Sequence, residues 1–225
     1  MSRIPSSPRG SRESPPVNAV PGLSLQVQGF VLEKSPRGDR FQPLTLFSPE
    51  HGMLRCYQRI SLRNPGPAID LFDELSATLT SSNQGHTWFF KELHVDHRHP
   101  GIGLRFEALA EASAFAGLIV QNPVHEEGRT GICRLLQEAL VALETGAPPA
   151  IVGLKALYSF ARSEGYPVKE EWLAGLRGSE REHAVALLHT PIASIDADRA
   201  VHAPRILARL RRYLKESTEL TIAGE

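Results

Sequence analysis

Cysteine and long apolar runs are both scarce in this chain of 225 residues. Only Cys56 and Cys133 are present, which excludes a four-thiolate zinc site and a disulfide-rich scaffold. We therefore expect a reducing, cytoplasmic compartment. The longest apolar stretches, such as the one that ends at Val120, fall well short of the roughly 20 residues that a membrane-spanning helix needs. The sequence thus predicts a protein with no membrane segment.

An excess of charge is also lacking, because 25 Lys and Arg residues balance 25 Asp and Glu residues. A general electrostatic attraction to nucleic acid or to a membrane is therefore excluded, and any basic surface must be local. Hydrophobic residues make up 41% of the chain, which is enough for the core of one large or two small globular domains.

The first 100 residues divide into a tail and a strand-rich segment. Residues 1–22 are rich in Pro, Ser and Arg without a periodic apolar face, which predicts a disordered tail. From residue 23 to residue 100 short apolar or alternating runs follow one another, which predicts strands. They lie at 23–32, 44–47, 53–60, 71–80 and 87–95. Five short strands in about 75 residues favour a small barrel, with an OB-type (oligonucleotide-binding) barrel as one candidate.

After residue 100 the hydrophobic period changes to 3.6, which predicts an α-helical domain over 101–225. The segment 106–120 is apolar nearly all round, so it is expected to be a central, buried helix. Ser179 and Glu182 have the spacing of a capping box, which predicts the start of a later helix. Pro204 suits the first position of the last helix. The predicted fold is α+β: an N-terminal five-stranded OB-type β-barrel followed by an α-helical domain.

The histidine-rich segment 94–99 is the most suggestive candidate for a metal site. On a strand, His97 and His99 would point to one side, whereas His94 and Asp96 would point to the other. The whole set could not chelate one ion without a bend, so a polar strand end without metal is the favoured interpretation. A metal-dependent hydrolase built on these histidines is a remote alternative. Neither a phosphate-binding glycine loop nor a Gly-x-Ser-x-Gly elbow is present, and no cofactor is predicted.

Local charge in the strand-rich segment points to nucleic acid. Between residues 34 and 63 six basic residues face only two acids. Arg55 and Arg59 would share one face of a strand, with Tyr57 between them, and cations that flank an aromatic ring are typical of single-strand binding surfaces. A solvated outer barrel face is the alternative. The six candidate contacts, besides Tyr57, are Lys34, Arg37, Arg40, Arg55, Arg59 and Arg63.

The last predicted helix carries a second basic element. Arg205, Arg209 and Arg212 stand at positions i, i+4 and i+7, beside an apolar stripe. Such a ridge could hold phosphates or the acidic tail of a partner protein. The alternative is a solvated helix face.

The strand-rich segment resembles the RecO family of DNA repair proteins. The similarity lies in Gly-Phe-Val-Leu at 29–32, in Gly38-Asp39 followed by the run 44–48, and in Glu-His-Gly at 50–52. RecO proteins have an N-terminal oligonucleotide-binding barrel and then an α-helical domain, an order that fits residues 23 to 220. The segment 164–167 is similar to the one that precedes the zinc finger in many members.

Three departures from the family pattern stand out. Phe41-Gln42 replaces an acid-Arg pair, and the segment from Arg59 to Arg63 keeps only the first and last charges of a Lys-Gly-Ala-Arg-Arg stretch. The zinc-finger cysteines are absent, so the resemblance does not imply a metal.

The resemblance implies a non-enzymatic recombination mediator. RecO-family proteins bind single- and double-stranded DNA, anneal strands, contact the acidic tail of single-strand binding protein, and work with RecR to load recombinase. Carried onto this chain, it implies phosphate contacts by the arginines of the barrel and stacking by Tyr57. The binding site for the acidic tail is assigned, from charge alone, to Arg205, Arg209 and Arg212. The alternative is an interaction module of the same fold that has lost useful DNA binding.

Overall fold

The structure, a computed structural model, describes residues 22–61, 66–81 and 84–222. The predicted tail, apart from Gly22, and the candidate contact Arg63 lie outside these residues. The first part of the chain forms five strands, close to where they are predicted. The strands are β1 (Leu23–Lys34), β2 (Phe41–Ser48), β3 (Gly52–Arg59), β4 (Glu74–Ser81) and β5 (Trp88–His97).

The five strands close into one barrel in the order β1-β2-β3-β5-β4, with β4 returning to β1. Neighbouring strands are antiparallel, except that β3 and β5 run parallel over a short pairing of Cys56 with Trp88 and Tyr57 with Phe89. The barrel is therefore mixed and of the OB type, which confirms the predicted fold of this segment.

The barrel interior explains the period of two in the strands. Val27, Val31, Leu44 and Leu46 point inward with Cys56 and are buried. Residues 30–32 break the alternation because three successive side chains are buried there. The reason is that Phe30 and Leu32, on the outer side of β1, belong to the core of the helical part.

The second part of the chain is helical, which confirms the α+β class. It also contains a π-helical turn over Val168–Leu173 and short 3-10 turns. The α-helices are α1 (Phe106–Gln121), α2 (Arg129–Glu144), α3 (Pro149–Ser163), α4 (Gly178–His189), α5 (Ala197–Ala200) and α6 (Ala203–Ser217). Among the described residues, no helix has the length and apolar character to cross a membrane.

Three helix predictions need correction. The helix predicted to start at Ser179 is present as α4, which begins at Gly178, but the capping box itself is wrong, because the N-cap residue, Arg177, makes no side-chain cap. Helix α1 is buried on one side only, since Phe106 is exposed. Helix α6 begins at Ala203, one residue before the predicted proline.

The helices cover only one side of the barrel. Phe30, Leu32, Phe47 and Phe72 point outward from the barrel and join a continuous core with the helices. At the other end of β2, Phe41 remains partly exposed. The helical part therefore buries the Phe47 end of β2 and leaves the opposite end of the same strand accessible.

Candidate functional site

The accessible face of the barrel is built on strand β3. Arg55 and Arg59 are exposed, Tyr57 between them is half-buried, and Cys56 points into the core. The predicted sharing of one face by the two arginines and the tyrosine is confirmed, because β3 runs from Gly52 to Arg59 paired with β2 throughout.

Three aromatic rings meet on this face, and we call them the aromatic cluster: Phe41, Tyr57 and Phe89. The ring centroids of Tyr57 and Phe89 lie 5.7 Å apart, and those of Phe41 and Phe89 lie 5.4 Å apart in an edge-on arrangement. Both distances are in the range of favourable aromatic pairs. All three rings are half-buried, so part of each ring surface stays open to solvent.

Sequence reasoning found only one of these three rings. In the sequence, Phe41 is part of a departure from the RecO pattern, and Phe89 lies within the predicted strand 87–95. Phe41 reaches the face because it pairs with Arg59, and Phe89 because β5 lies parallel to β3. The pairing of Phe41 with Arg59 belongs to the hairpin of the consecutive strands β2 and β3. The pairing of β3 with β5 depends on the closure of the barrel.

Two further arginines lie in the loop between β1 and β2. Arg37 and Arg40 are both exposed there. The loop is held against the end of β3, because the Ile60 amide donates to the Arg40 carbonyl oxygen at 2.8 Å. It is also fixed internally, since the buried Gln42 side chain donates to the Ser35 carbonyl oxygen at 2.5 Å. The loop cations therefore belong to the same end of the barrel as Arg59.

These arginines make no ion pair with any acid that the structure describes. Within the described ranges, Arg37, Arg40, Arg55 and Arg59 form no salt bridge with an acid. Lys34 is different. Its ammonium group donates to the Ile69 carbonyl oxygen at 2.8 Å and lies 3.6 Å from the Asp70 carboxylate. Of the predicted basic contacts in the described part of the chain, Lys34 alone is already engaged by a side-chain bond within the fold.

The predicted partner-binding ridge on α6 is largely used within the helical part. Arg205 and Arg209 both engage the carboxylate of Glu180 on α4, the first at 3.7 Å. The neighbouring Arg211 bonds the Glu111 carboxylate on α1 at 2.8 Å. Arg212 is exposed and makes no salt bridge in the described part of the chain. It is the one member of the predicted trio left for an external partner.

The Glu-His-Gly segment at 50–52, which carries part of the family resemblance, forms the turn between β2 and β3. Gly52 has a φ of +67°, a conformation that favours glycine. The guanidinium of Arg129, at the start of α2, lies over this glycine and donates to the Glu50 carbonyl oxygen at 3.4 Å. These residues therefore shape a turn and attach the barrel to the helices.

The histidine-rich strand end forms a separate cluster. His97 and His99 lie on one side, as predicted, and their ring centroids are 4.6 Å apart. His94 instead pairs with Asp96, with 3.8 Å between the imidazole Nε2 and the carboxylate. Glu144, at the end of α2, completes the first group: its Oε2 lies 2.8 Å from His99 Nδ1 and 3.7 Å from His97 Nε2. No pattern in the sequence predicts the participation of Glu144, which comes from the other half of the chain.

The two thiols are unsuited to nucleophilic chemistry. Burial raises the pKa of Cys56 to about 12. Burial, aided by the charge of Glu74, also raises the pKa of Cys133 to about 12. The thiolate, which is the reactive form, is therefore rare at neutral pH.

No protein-family model matches this chain, and no curated protein matches its sequence.

Proposed function

We propose that this protein is a single-stranded DNA-binding recombination mediator of the kind that its resemblance to the RecO family implies. The observation that carries the proposal is the pairing of the aromatic cluster with four arginines that form no ion pair among the described residues, on the accessible face of an OB-type barrel. Strands 2 and 3 and the loop between strands 1 and 2 are the surfaces with which OB-folds bind oligonucleotides. The aromatic cluster and the four arginines occupy those elements, with Phe89 added from β5.

The chemistry of this face suits a single strand in particular. Bases of any identity stack on aromatic rings, and unstacked bases are available only in single strands. Arg55 and Arg59 are four residues apart, which places them about 13 Å apart along the strand. A single DNA strand that runs along β3 would thus meet a cation, the Tyr57 ring and a second cation in that order. Arg37 and Arg40 extend the phosphate contacts beyond the end of β3.

The proposal includes no catalytic step. Annealing and recombinase loading require that two partners be held together, and they break no covalent bond. Binding of the acidic tail of single-strand binding protein would then involve Arg212 foremost, because Arg205 and Arg209 already share the carboxylate of Glu180. Cooperation with RecR follows from the resemblance alone.

Fluorescence anisotropy of a labelled single-stranded oligonucleotide, titrated with protein at several salt concentrations, tests the proposal. For single strands, each phosphate contact contributes about −0.7 to the slope of log affinity against log salt. The double variant Arg55→Glu/Arg59→Glu should weaken binding and reduce the magnitude of the slope by at least about 1.4. A matched control is Arg134→Glu/Arg181→Glu, which makes the same change of net charge at exposed sites on α2 and α4.

The control separates a specific surface from a general effect of charge. If both double variants weaken binding equally, the barrel face is not the binding surface. If the wild-type protein does not bind at low salt, the DNA-mediator proposal fails. Retained binding of an acidic peptide would then support the interaction module of the same fold.

A further inference from the structure

The group formed by His97, His99 and Glu144 joins the two halves of the molecule. His97 is the last residue of β5, His99 lies in the segment that leads into the helices, and Glu144 is the last residue of α2. The nitrogen and oxygen atoms that these side chains offer lie within 4.8 Å of one another. Two imidazoles and one carboxylate therefore converge on one point, with each half of the chain supplying at least one donor.

We propose that His97, His99 and Glu144 form a binding site for a divalent cation of the zinc class, which ties the barrel to the helical part. Imidazole nitrogen and carboxylate oxygen are common zinc donors, and two histidines with one glutamate form a recognised three-ligand set. A fourth position would be taken by water. The proposal does not depend on DNA binding.

The distances are close to those that zinc requires. Bonds of about 2.0–2.1 Å in a tetrahedral site place neighbouring donor atoms about 3.3 Å apart. Here Glu144 Oε2 lies 2.8 Å from His99 Nδ1 and 3.7 Å from His97 Nε2. Metal binding requires that His99 Nδ1 carry no proton, and small side-chain adjustments would then bring all three donors to bonding distance.

Two of the three donors are held in place by the fold. The His99 side chain is 1% exposed, and its carbonyl oxygen accepts from the Ile102 amide at 3.2 Å. Gly101 allows α2 to end against this segment, because a Cβ there would lie 3.0 Å from the Glu144 carbonyl oxygen and 3.2 Å from its Cγ. His97 is 52% exposed, so its side leaves a path from solvent for the ion.

The electrostatic surroundings also suit a cation. Glu144 supplies the one carboxylate of the three donors, and an anionic oxygen ligand attracts a divalent cation. Arg98, between the two histidines in sequence, is turned away, since it donates to the Ala68 carbonyl oxygen at 2.7 Å.

Metal analysis and calorimetry of the full chain with Zn²⁺ alone test the site. After dialysis against a weak chelator, wild-type protein should bind one Zn²⁺ per chain. Either His97→Ala or Glu144→Gln should lower the affinity for Zn²⁺ at least about tenfold. Loss of a residue that contacts only a metal ligand already costs that much, so loss of a ligand itself should cost no less. At a free Zn²⁺ concentration a hundredfold above Kd, the wild-type Tm should rise by about 5–10 °C. The Glu144→Gln variant should show little of this rise.

His94→Ala is the matched control, because His94 is an exposed imidazole on the same strand and faces the other way. It should bind Zn²⁺ as the wild-type protein does. Circular dichroism would establish that each variant is folded, and Co²⁺ substitution would add an independent readout, since four-coordinate Co²⁺ has intense visible bands.

Three outcomes would overturn the proposal. Wild-type protein that binds no Zn²⁺ would leave the cluster as a hydrogen-bonded contact between the two halves. Equal losses in His94→Ala and His97→Ala would indicate scattered binding by surface histidines. Unchanged affinity in both His97→Ala and Glu144→Gln would place the ion elsewhere. None of these results would affect the DNA-binding proposal, which is tested by salt-dependent oligonucleotide binding.

Discussion

Tyr57 and Phe89 stand opposite each other on two parallel strands, with their ring centroids 5.7 Å apart. The pairing of these strands closes the barrel, because β3 and β5 are the only parallel neighbours among the described strands. The contact that completes the fold is therefore also the contact that brings the second ring to the first. In the proposed function, the strand pairing that closes the barrel therefore also forms the surface on which bases stack.

The first prediction concerns Tyr57 as a stacking residue. Tyr57→Ala should weaken binding of a single-stranded oligonucleotide by about 1–3 kcal/mol, the range found for loss of one base–aromatic stack. The salt slope should stay unchanged, because no phosphate contact is removed. The measurement is anisotropy across a salt series.

Two further variants decide whether this effect is due to stacking. Tyr57→Phe keeps the ring and should retain nearly all affinity. Phe106→Ala removes an exposed ring from the start of α1 and should have no effect on binding. A Tyr57→Ala variant that binds as tightly as the wild-type protein would contradict a role for the aromatic cluster.

Much of the fold follows from local sequence patterns. The five strands lie where alternation and apolar runs predict them, and the main helices follow the 3.6-residue period. These patterns suffice because each strand or helix buries one face against the core. The capping box at Ser179 is a local error, because α4 begins at Gly178 and Ser179 therefore lies inside the helix and not at its N-cap.

The candidate site was less predictable, because its residues meet through topology. Arg55, Tyr57 and Arg59 share a strand, so their common face could be inferred from spacing. Phe89 and Glu144 come from distant segments and enter only through strand order and helix packing. Ion pairs between helices were equally unpredictable. The sequence indicates that Arg205 and Arg209 form an exposed basic ridge, whereas in the fold both contact Glu180.

The second prediction tests the role of Arg209 in holding α6 to α4. Arg209→Met keeps the aliphatic part of the side chain but leaves Glu180, which is 18% exposed, without its closest cation. We expect a loss of about 1–2 kcal/mol in the free energy of unfolding in urea. Arg212→Met, at an exposed position on the same helix, is the control and should change stability by less than about 0.5 kcal/mol.

A double-mutant cycle identifies the partner. In a Glu180→Gln background, Arg209→Met should cost much less than it does in the wild-type protein, because its charged partner is already gone. Equal costs in the two backgrounds would show that Arg209 does not act through Glu180.

The third prediction concerns the turn at Gly52. Its φ of +67° strains any residue with a Cβ, so Gly52→Ala should lower the free energy of unfolding by about 1–2 kcal/mol. The added Cβ would also lie 2.9 Å from Arg129 Nε. Because the backbone strain does not depend on Arg129, adding Arg129→Ala should not restore stability.

Gly131, in α2, is the matched control for Gly52. A Cβ at this position would meet nothing within 4 Å, and alanine is favoured over glycine in a helix by about 1 kcal/mol. Gly131→Ala should therefore leave stability unchanged or raise it. A Gly52→Ala variant as stable as Gly131→Ala would show that the turn tolerates another conformation.

The last prediction uses Cys56 and Cys133 as separate probes of the barrel and of α2. Burial raises the pKa of each thiol to about 12 from an ordinary value of 9.0. A thiol reagent at pH 8 should therefore modify the folded protein much more slowly than the unfolded protein, because little thiolate is present and the thiol is buried. Because burial raises the pKa of the folded thiol, the free energy of unfolding is not affected by the thiol below about pH 9. It falls as the pH rises towards 12, because the unfolded thiol ionises first. Cys133→Ser leaves Cys56 as the only thiol, and Cys56→Ser leaves Cys133. A thiol that reacts equally fast before and after unfolding would show that its part of the core is open in the native protein.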